Sequence, residues 1–191
     1  RLILSFYQRN NLLKVNIPSK NFLKKDFLIN AIKVSRNEFP SIDIIPHFSI
    51  QHEFKRNKTN TLDSLIEFIQ IVKHLGCKQI LLVSGSQRKS TLDSVSALSL
   101  IKQNPLINND DCISIGVAFN PYLASPLFEE EMLRLEEKLK SGLVSSIWIQ
   151  FGTDNILLEK RLEILLDFIT SAKKNNPKFS YISIYGSILI P

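Results

Sequence analysis

Thr61–Ser86 reads TLDSLIEFIQIVKHLGCKQILLVSGS, and two different periods meet inside it. Leu62, Leu65, Ile66, Ile69, Val72 and Leu75 recur at helical spacing, forming one apolar stripe with Thr61 placed to cap its start. Gly76 supplies the stop. Directly after it, QILLV (Gln79–Val83) is apolar at nearly every position, as a strand covered on both faces must be. A helix feeding such a strand is the repeating unit of a parallel α/β sheet.

The unit recurs along the chain. Strand-like runs begin at Leu12, Asp43, Gln79, Ile113, Ser146 and Tyr181, at intervals of 31 to 36 residues. Between them, Phe128, Met132, Leu135 and Leu139 form a second helical stripe, entered through Ser125-Pro126 and the acidic run Glu129–Glu131 and closed by Gly142. Leu158, Leu162, Leu165, Leu166 and Ile169 form a third, with Asp154 or Asn155 as its cap. Segments 22–38 and 91–103 also read as helices. Arg1–Gln8 fits either the end of a helix or a strand turning at Asn10-Asn11.

An open doubly wound sheet and a closed (β/α)8 TIM barrel both satisfy this α/β order. The even spacing favours the barrel, and no GxGxxG or GxxxxGK[ST] follows a strand to support the nucleotide-binding open sheets. Six strands in 191 residues fall short of the eight strands and about 250 residues of such a barrel. The expectation is therefore one incomplete barrel domain over residues 1–191, lacking its first and last strands, with 1–11 as an unassigned N-terminal segment.

Composition narrows the function. A 44% hydrophobic content with 12 Phe provides a core and excludes a disordered chain. No window approaches the about 18 uncharged apolar residues of a membrane span, so a cytoplasmic protein with no membrane contact is expected. The formal charge of +6 comes from single lysines spread over helices rather than a basic block, and nucleic-acid binding is not expected. Cys77 and Cys112 lie in or beside apolar runs without CxxC spacing and read as reduced core residues; with three histidines unclustered, no metal site is expected.

Barrel enzymes place their chemistry at the C-terminal ends of the strands. Here those ends carry Asn16 and Ser19, His47, Ser49 and Gln51, Ser84 and Ser86, Asn120 and Tyr122, Gln150 and Asp154, and Tyr185 and Ser187. Most are neutral hydrogen-bonding groups, suited to an uncharged polar ligand. Paired carboxylates and a nucleophile with its base are absent from this set. His47 is the one imidazole in a strand run, and Gln150 ends an otherwise apolar strand, where a buried amide would need a partner.

IPHFSI (Ile45–Ile50), LGCKQILLVSGS (Leu75–Ser86), ISIGVAFNP (Ile113–Pro121), EEKLKSGLVSSIWIQF (Glu136–Phe151) and YGSILIP (Tyr185–Pro191) together resemble, in order and separation, the strand motifs of the methylenetetrahydrofolate reductase family. The likeness spans residues 12–191. It implies a (β/α)8 flavoprotein in which FAD takes hydride from NADH or NADPH and reduces 5,10-methylenetetrahydrofolate, the folate substrate, to 5-methyltetrahydrofolate. Position by position, it implies that His47 and Asn16 lie near the flavin, and Lys138 near the phosphate-bearing arm of FAD. It makes Gln150 the catalytic-site glutamine that meets substrate and nicotinamide. Gly85 and Ala118 preserve backbone features of the cofactor site, and Ser86 and Asn120 occupy cofactor-contacting positions. The barrel reading brings His47, Ser86, Asn120 and Gln150 to one mouth, and it allows a homo-oligomer.

The chain departs from the family pattern at several of these places. Ser84 and Ser86 stand where the family has the Arg and Asp of Arg-Gly-Asp, Asn120 replaces a Tyr, Ala124 a His, and Ile149 the Thr before the glutamine. The glutamate that serves the family as general acid belongs to the first strand, which this reading expects to lie outside these residues. A degenerate, non-catalytic barrel acting as a binding or interaction subunit is the alternative these losses imply, since flavin chemistry depends on the charge beside the ring.

Overall fold

A computed structural model describes residues 2–19, 25–51, 58–84, 92–104, 107, 113–175 and 182–186. Among them helix and strand alternate throughout: α1 (Leu2–Arg9), β1 (Lys14–Ile17), α2 (Lys25–Glu38), β2 (Asp43–Ser49), α3 (Lys58–His74), β3 (Gln79–Val83), α4 (Ser94–Ile101), β4 (Ser114–Phe119), α5 (Leu127–Lys140), β5 (Val144–Ile149), α6 (Asn155–Asn175) and β6 (Ser183–Tyr185). The sheet takes its strands in chain order from β1 to β6. Strand pairs β1/β2, β2/β3 and β5/β6 are parallel, the α/β arrangement expected from the apolar strand runs. The chain divides into two compact units, Arg1–Ile115 and Gly116–Pro191.

In the first unit, Leu65, Phe68, Ile69 and Val72 bury the stripe of α3, while Leu62, Ile66 and Leu75 lie half-buried at its edges. Thr61 is not the cap: it lies inside α3, 1% exposed, because the helix already runs from Lys58. The end of α3 follows the sequence closely. Gly76 adopts φ +81°, its N–H donates to Lys73 O at 2.9 Å, and the Cys77 N–H donates to Val72 O at 3.0 Å. This Schellman closure needs a left-handed residue, and it delivers the chain into β3 within three residues.

The same device ends α1, which settles Arg1–Gln8 in favour of a helix over residues 2–9. Asn11 stands at φ 54°, and the Leu12 N–H reaches back to Tyr7 O at 2.9 Å. Arg36 fastens the α2–β2 connection by donating from its guanidinium to Ile42 O at 2.9 Å. At the head of α4, Asp93 caps the Ser96 N–H at 2.8 Å, and the Ser84 hydroxyl bonds both the hydroxyl and the N–H of Ser94.

In the second unit Phe128, Leu135 and Leu139 carry the apolar side of α5, and Phe119 of β4 meets Phe128 edge-on at 6.0 Å. Arg161 of α6 lies 3.5 Å above the other part of this contact, over the Phe128 ring, joining α6 to α5. Asp154 is the α6 cap, accepting the Leu157 N–H at 2.9 Å. Leu165 and Ile169 are buried in that helix, whereas Leu166 is 52% exposed because it falls on the outer edge of the stripe. Among the described residues no helix is long and apolar enough to cross a membrane.

Candidate functional site

Side-chain alternation gives each strand two faces. On β2, Phe48 packs against Phe68 of α3 with ring centroids 5.4 Å apart, so Ile44, Pro46 and Phe48 form the helix-facing side. Ile45, His47 and Ser49 therefore share the opposite face. Register adds their neighbours: Asn16 of β1 is level with Ile45, Leu81 of β3 with His47, and Val83 with Ser49. Asn16, His47 and Ser49 thus form a polar line along one face, at the C-terminal ends of β1 and β2.

Two members of that line have atoms without partners. Asn16 Oδ1 and Ser49 Oγ are buried and have no hydrogen-bond partner among the described residues. Ser49 as a whole is 2% exposed. Buried oxygen atoms of this kind are ordinarily satisfied by protein, water or ligand. His47 lies half-buried between them in level.

The other unit presents a different face. On β4, Phe119 faces α5, so Gly116 and Ala118 face away from it. Trp148 of β5 lies over Gly116: a Cβ there would stand 2.7 Å from Ser146 Oγ and 2.8 Å from Trp148 Nε1. The indole N–H donates to Ser146 Oγ at 2.9 Å, and the Trp148 ring stacks on Tyr185 of β6 at 4.5 Å. Every polar group of this arrangement that is named here has its partner inside the unit. A lone glycine in a strand, followed by the chain's single Trp on the next, was the signal for this packing, and sequence reading passed over it.

The remaining sequence-chosen residues fall into place separately. Gly85 and Ser86, with Cys112, His52 and Ser187, lie outside the described residues, so the cofactor-side positions after β3 are not among those the structure places. Asn16 and His47 belong to the first unit; Ala118, Asn120, Lys138 and Gln150 belong to the second. Lys138 is 5% exposed and its ammonium donates to Ala118 O at 3.4 Å. Asn120 accepts the Tyr122 N–H on Oδ1 at 3.0 Å, an Asx turn, while its own N–H donates to Glu131. Gln150 differs from expectation: it is exposed rather than buried, because it lies one residue past the end of β5, and its backbone N–H continues the ladder to Phe119 O. Ser84 directly follows β3, and its hydroxyl is engaged by Ser94 at the head of α4.

The charged groups with shifted titration lie elsewhere. Burial pushes the Cys77 thiol up to about 11, against the lowering influence of Arg36, so Cys77 is a packed, protonated residue and a poor nucleophile. Glu129 is held below the usual carboxylate range by its own backbone N–H at the start of α5 and by the Ser125 hydroxyl. Among the described residues no three His, Cys, Asp or Glu side chains gather as a metal site. Set against models of protein families the chain matches none, and no curated protein matches it.

Proposed function

We propose that this chain is a divergent flavin-dependent oxidoreductase, built on part of a (β/α)8 barrel and acting in the cytoplasm on 5,10-methylenetetrahydrofolate. Two features support the barrel: strict βα alternation, and a strand order that follows the chain without the reversal of a doubly wound sheet. The observation that carries the functional reading is the pair of buried, unpartnered oxygens, Asn16 Oδ1 and Ser49 Oγ, on the face that also carries His47. They stand at the strand ends where barrels of this kind hold their ligands.

FAD, when bound, would supply hydride transfer from NADH or NADPH to the folate. Asn16 and His47 are the residues that would hold it, since polar side chains at these strand ends suit an uncharged ring and polyol chain. Gln150, exposed beyond β5, is open to the substrate. Lys138 and Asn120 fit less well, because each already bonds within its own unit. That commitment favours a second reading, a barrel of the same descent that binds without catalysing.

One experiment separates the two. The purified chain is incubated with FAD and then with NADH or NADPH, following flavin absorbance. A yellow complex bleached by the nicotinamide is expected, and His47→Ala should weaken FAD binding about tenfold, the effect of roughly 1.4 kcal/mol from one lost hydrogen bond. A chain that takes up FAD without bleaching leaves only the binding reading, and one that takes up none removes flavin from both.

A further inference from the structure

We infer that Tyr122 is a positioning residue for Gln150: docked on Gly152, its ring holds the segment after β5 in one place, and Asn120 and Glu131 set the ring there. What Gln150 meets rests on the reductase reading; the docking of the ring does not.

Glycine at position 152 is a matter of space, not of backbone conformation. Gly76 and Gly142 take positive φ and Gly152 does not, so its φ does not call for glycine. A Cβ there, however, would overlap Cε2, Cζ and Cδ2 of Tyr122, so the ring lies directly against the Gly152 Cα. At Gly142, by contrast, nothing stands within 4 Å of such a Cβ. Glycine makes the connection after β5 harder to order than any other residue would, and what it admits in return is the docked ring.

Short-range bonds at the end of β4 fix the place of the ring. Asn120 Oδ1 accepts the Tyr122 N–H at 3.0 Å across Pro121, whose own ring limits φ, and the Asn120 N–H donates to Glu131 Oε1 of α5 at 3.3 Å. The β4–α5 connection and the first turns of α5 thus aim one aromatic ring at the connection between β5 and α6.

Gln150 lies between two tethers. Its N–H donates to Phe119 O at 2.8 Å, and two residues later Gly152 sits under Tyr122, before Asp154 caps α6 at the Leu157 N–H. The Gln150 side chain is exposed, so its direction comes from the backbone that carries it rather than from packing. A polar group that meets substrate must be held in this way, because small displacements of its backbone are passed on to the reacting atoms. The Tyr122 ring is itself half-buried, so a methyl group on residue 152 would push it outward and leave the core of the unit in place.

Tyr122→Ala and Gly152→Ala break the same contact from its two sides, and both are made in the full chain. Amide hydrogen exchange of residues 150–152 should quicken about tenfold in each. Tyr122→Phe keeps the docking carbons and should restore the slow exchange. In turnover with FAD and NADH or NADPH, both alanine variants should raise KM for 5,10-methylenetetrahydrofolate about tenfold with kcat within about twofold of wild type, and Tyr122→Phe should rescue KM. A general loosening of the fold would instead lower the amount of active chain, and so the apparent kcat, at constant KM. Unchanged exchange in Tyr122→Ala, a Tyr122→Phe variant that behaves like it, or faster exchange with KM unmoved would each overturn the inference. A wild-type chain without turnover removes the reductase reading instead. Exchange then decides by itself whether Tyr122 fixes the Gln150 segment: faster in both alanine variants supports it, unchanged in either overturns it.

Discussion

The first unit's polar face and the second unit's aromatic face are built from similar strands and solve opposite problems. On β4 and β5, Gly116, Ser146, Trp148 and Tyr185 close upon one another: the indole is stacked, its N–H is bonded, and the space it fills is the space a glycine leaves. On β1 and β2, Asn16 and Ser49 have buried oxygens with no hydrogen-bond partner among the described residues. The first arrangement stabilises the folded chain, whereas a buried oxygen without a hydrogen-bond partner weakens it. The difference teaches where to look for function. An aromatic cluster whose indole N–H is bonded is explained by packing, while an unpaired oxygen in an apolar strand setting is not.

The comparison breaks most visibly at Trp148. Trp148→Ala removes a 7%-exposed ring and its stack, and should cost about 3–5 kcal/mol in urea unfolding followed by circular dichroism. A loss below about 1 kcal/mol would show that the aromatic face is no better satisfied than the polar one. Next in size is Gly116→Ala. Its new methyl group would press on Ser146 Oγ and the indole edge at 2.7–2.9 Å, and should cost about 1–3 kcal/mol through forced displacement of buried groups. Near-UV circular dichroism should change with it, since Trp148 must move. The smallest effect belongs to the polar face. Asn16→Leu, which exchanges an unpartnered amide for an apolar side chain of similar size, should leave stability within about 0.5 kcal/mol of wild type or raise it. A clear loss at Asn16 would erase the contrast between the faces.

Most of the architecture was legible because it rests on local rules. Apolar steps in Leu65–Val72 formed the buried side of α3, Gly76 and Gly142 took the positive φ that ends a helix, and Asp154 capped α6. Errors arose where a rule depends on what stands beyond the local segment. Thr61 has the residue type of a cap, but the helix extends past it. Leu166 belongs to an apolar stripe by spacing, yet it stays 52% exposed. Gln150 follows an apolar strand and so reads as buried, although the strand ends one residue earlier.

The candidate site was legible in its residue types and not in its state. Asn16, His47 and Ser49 stand out in sequence as polar residues at strand ends, and so do Ser84 and Asn120. Only the folded chain separates them. Ser84 bonds α4 through its hydroxyl and Asn120 a turn through its carbonyl, while Asn16 and Ser49 find no partner among the described residues. Residue type tells which groups can bond; the partners come from residues distant in the chain.

By itself the sequence determined the alternation of helix and strand and the glycine-marked ends of α3 and α5, because these follow from the period of apolar residues and from the backbone freedom of Gly76 and Gly142. Tertiary structure alone decided which polar atoms are satisfied. Hydrogen bonds form or fail over fractions of an ångström, and only assembled strands and helices set those distances.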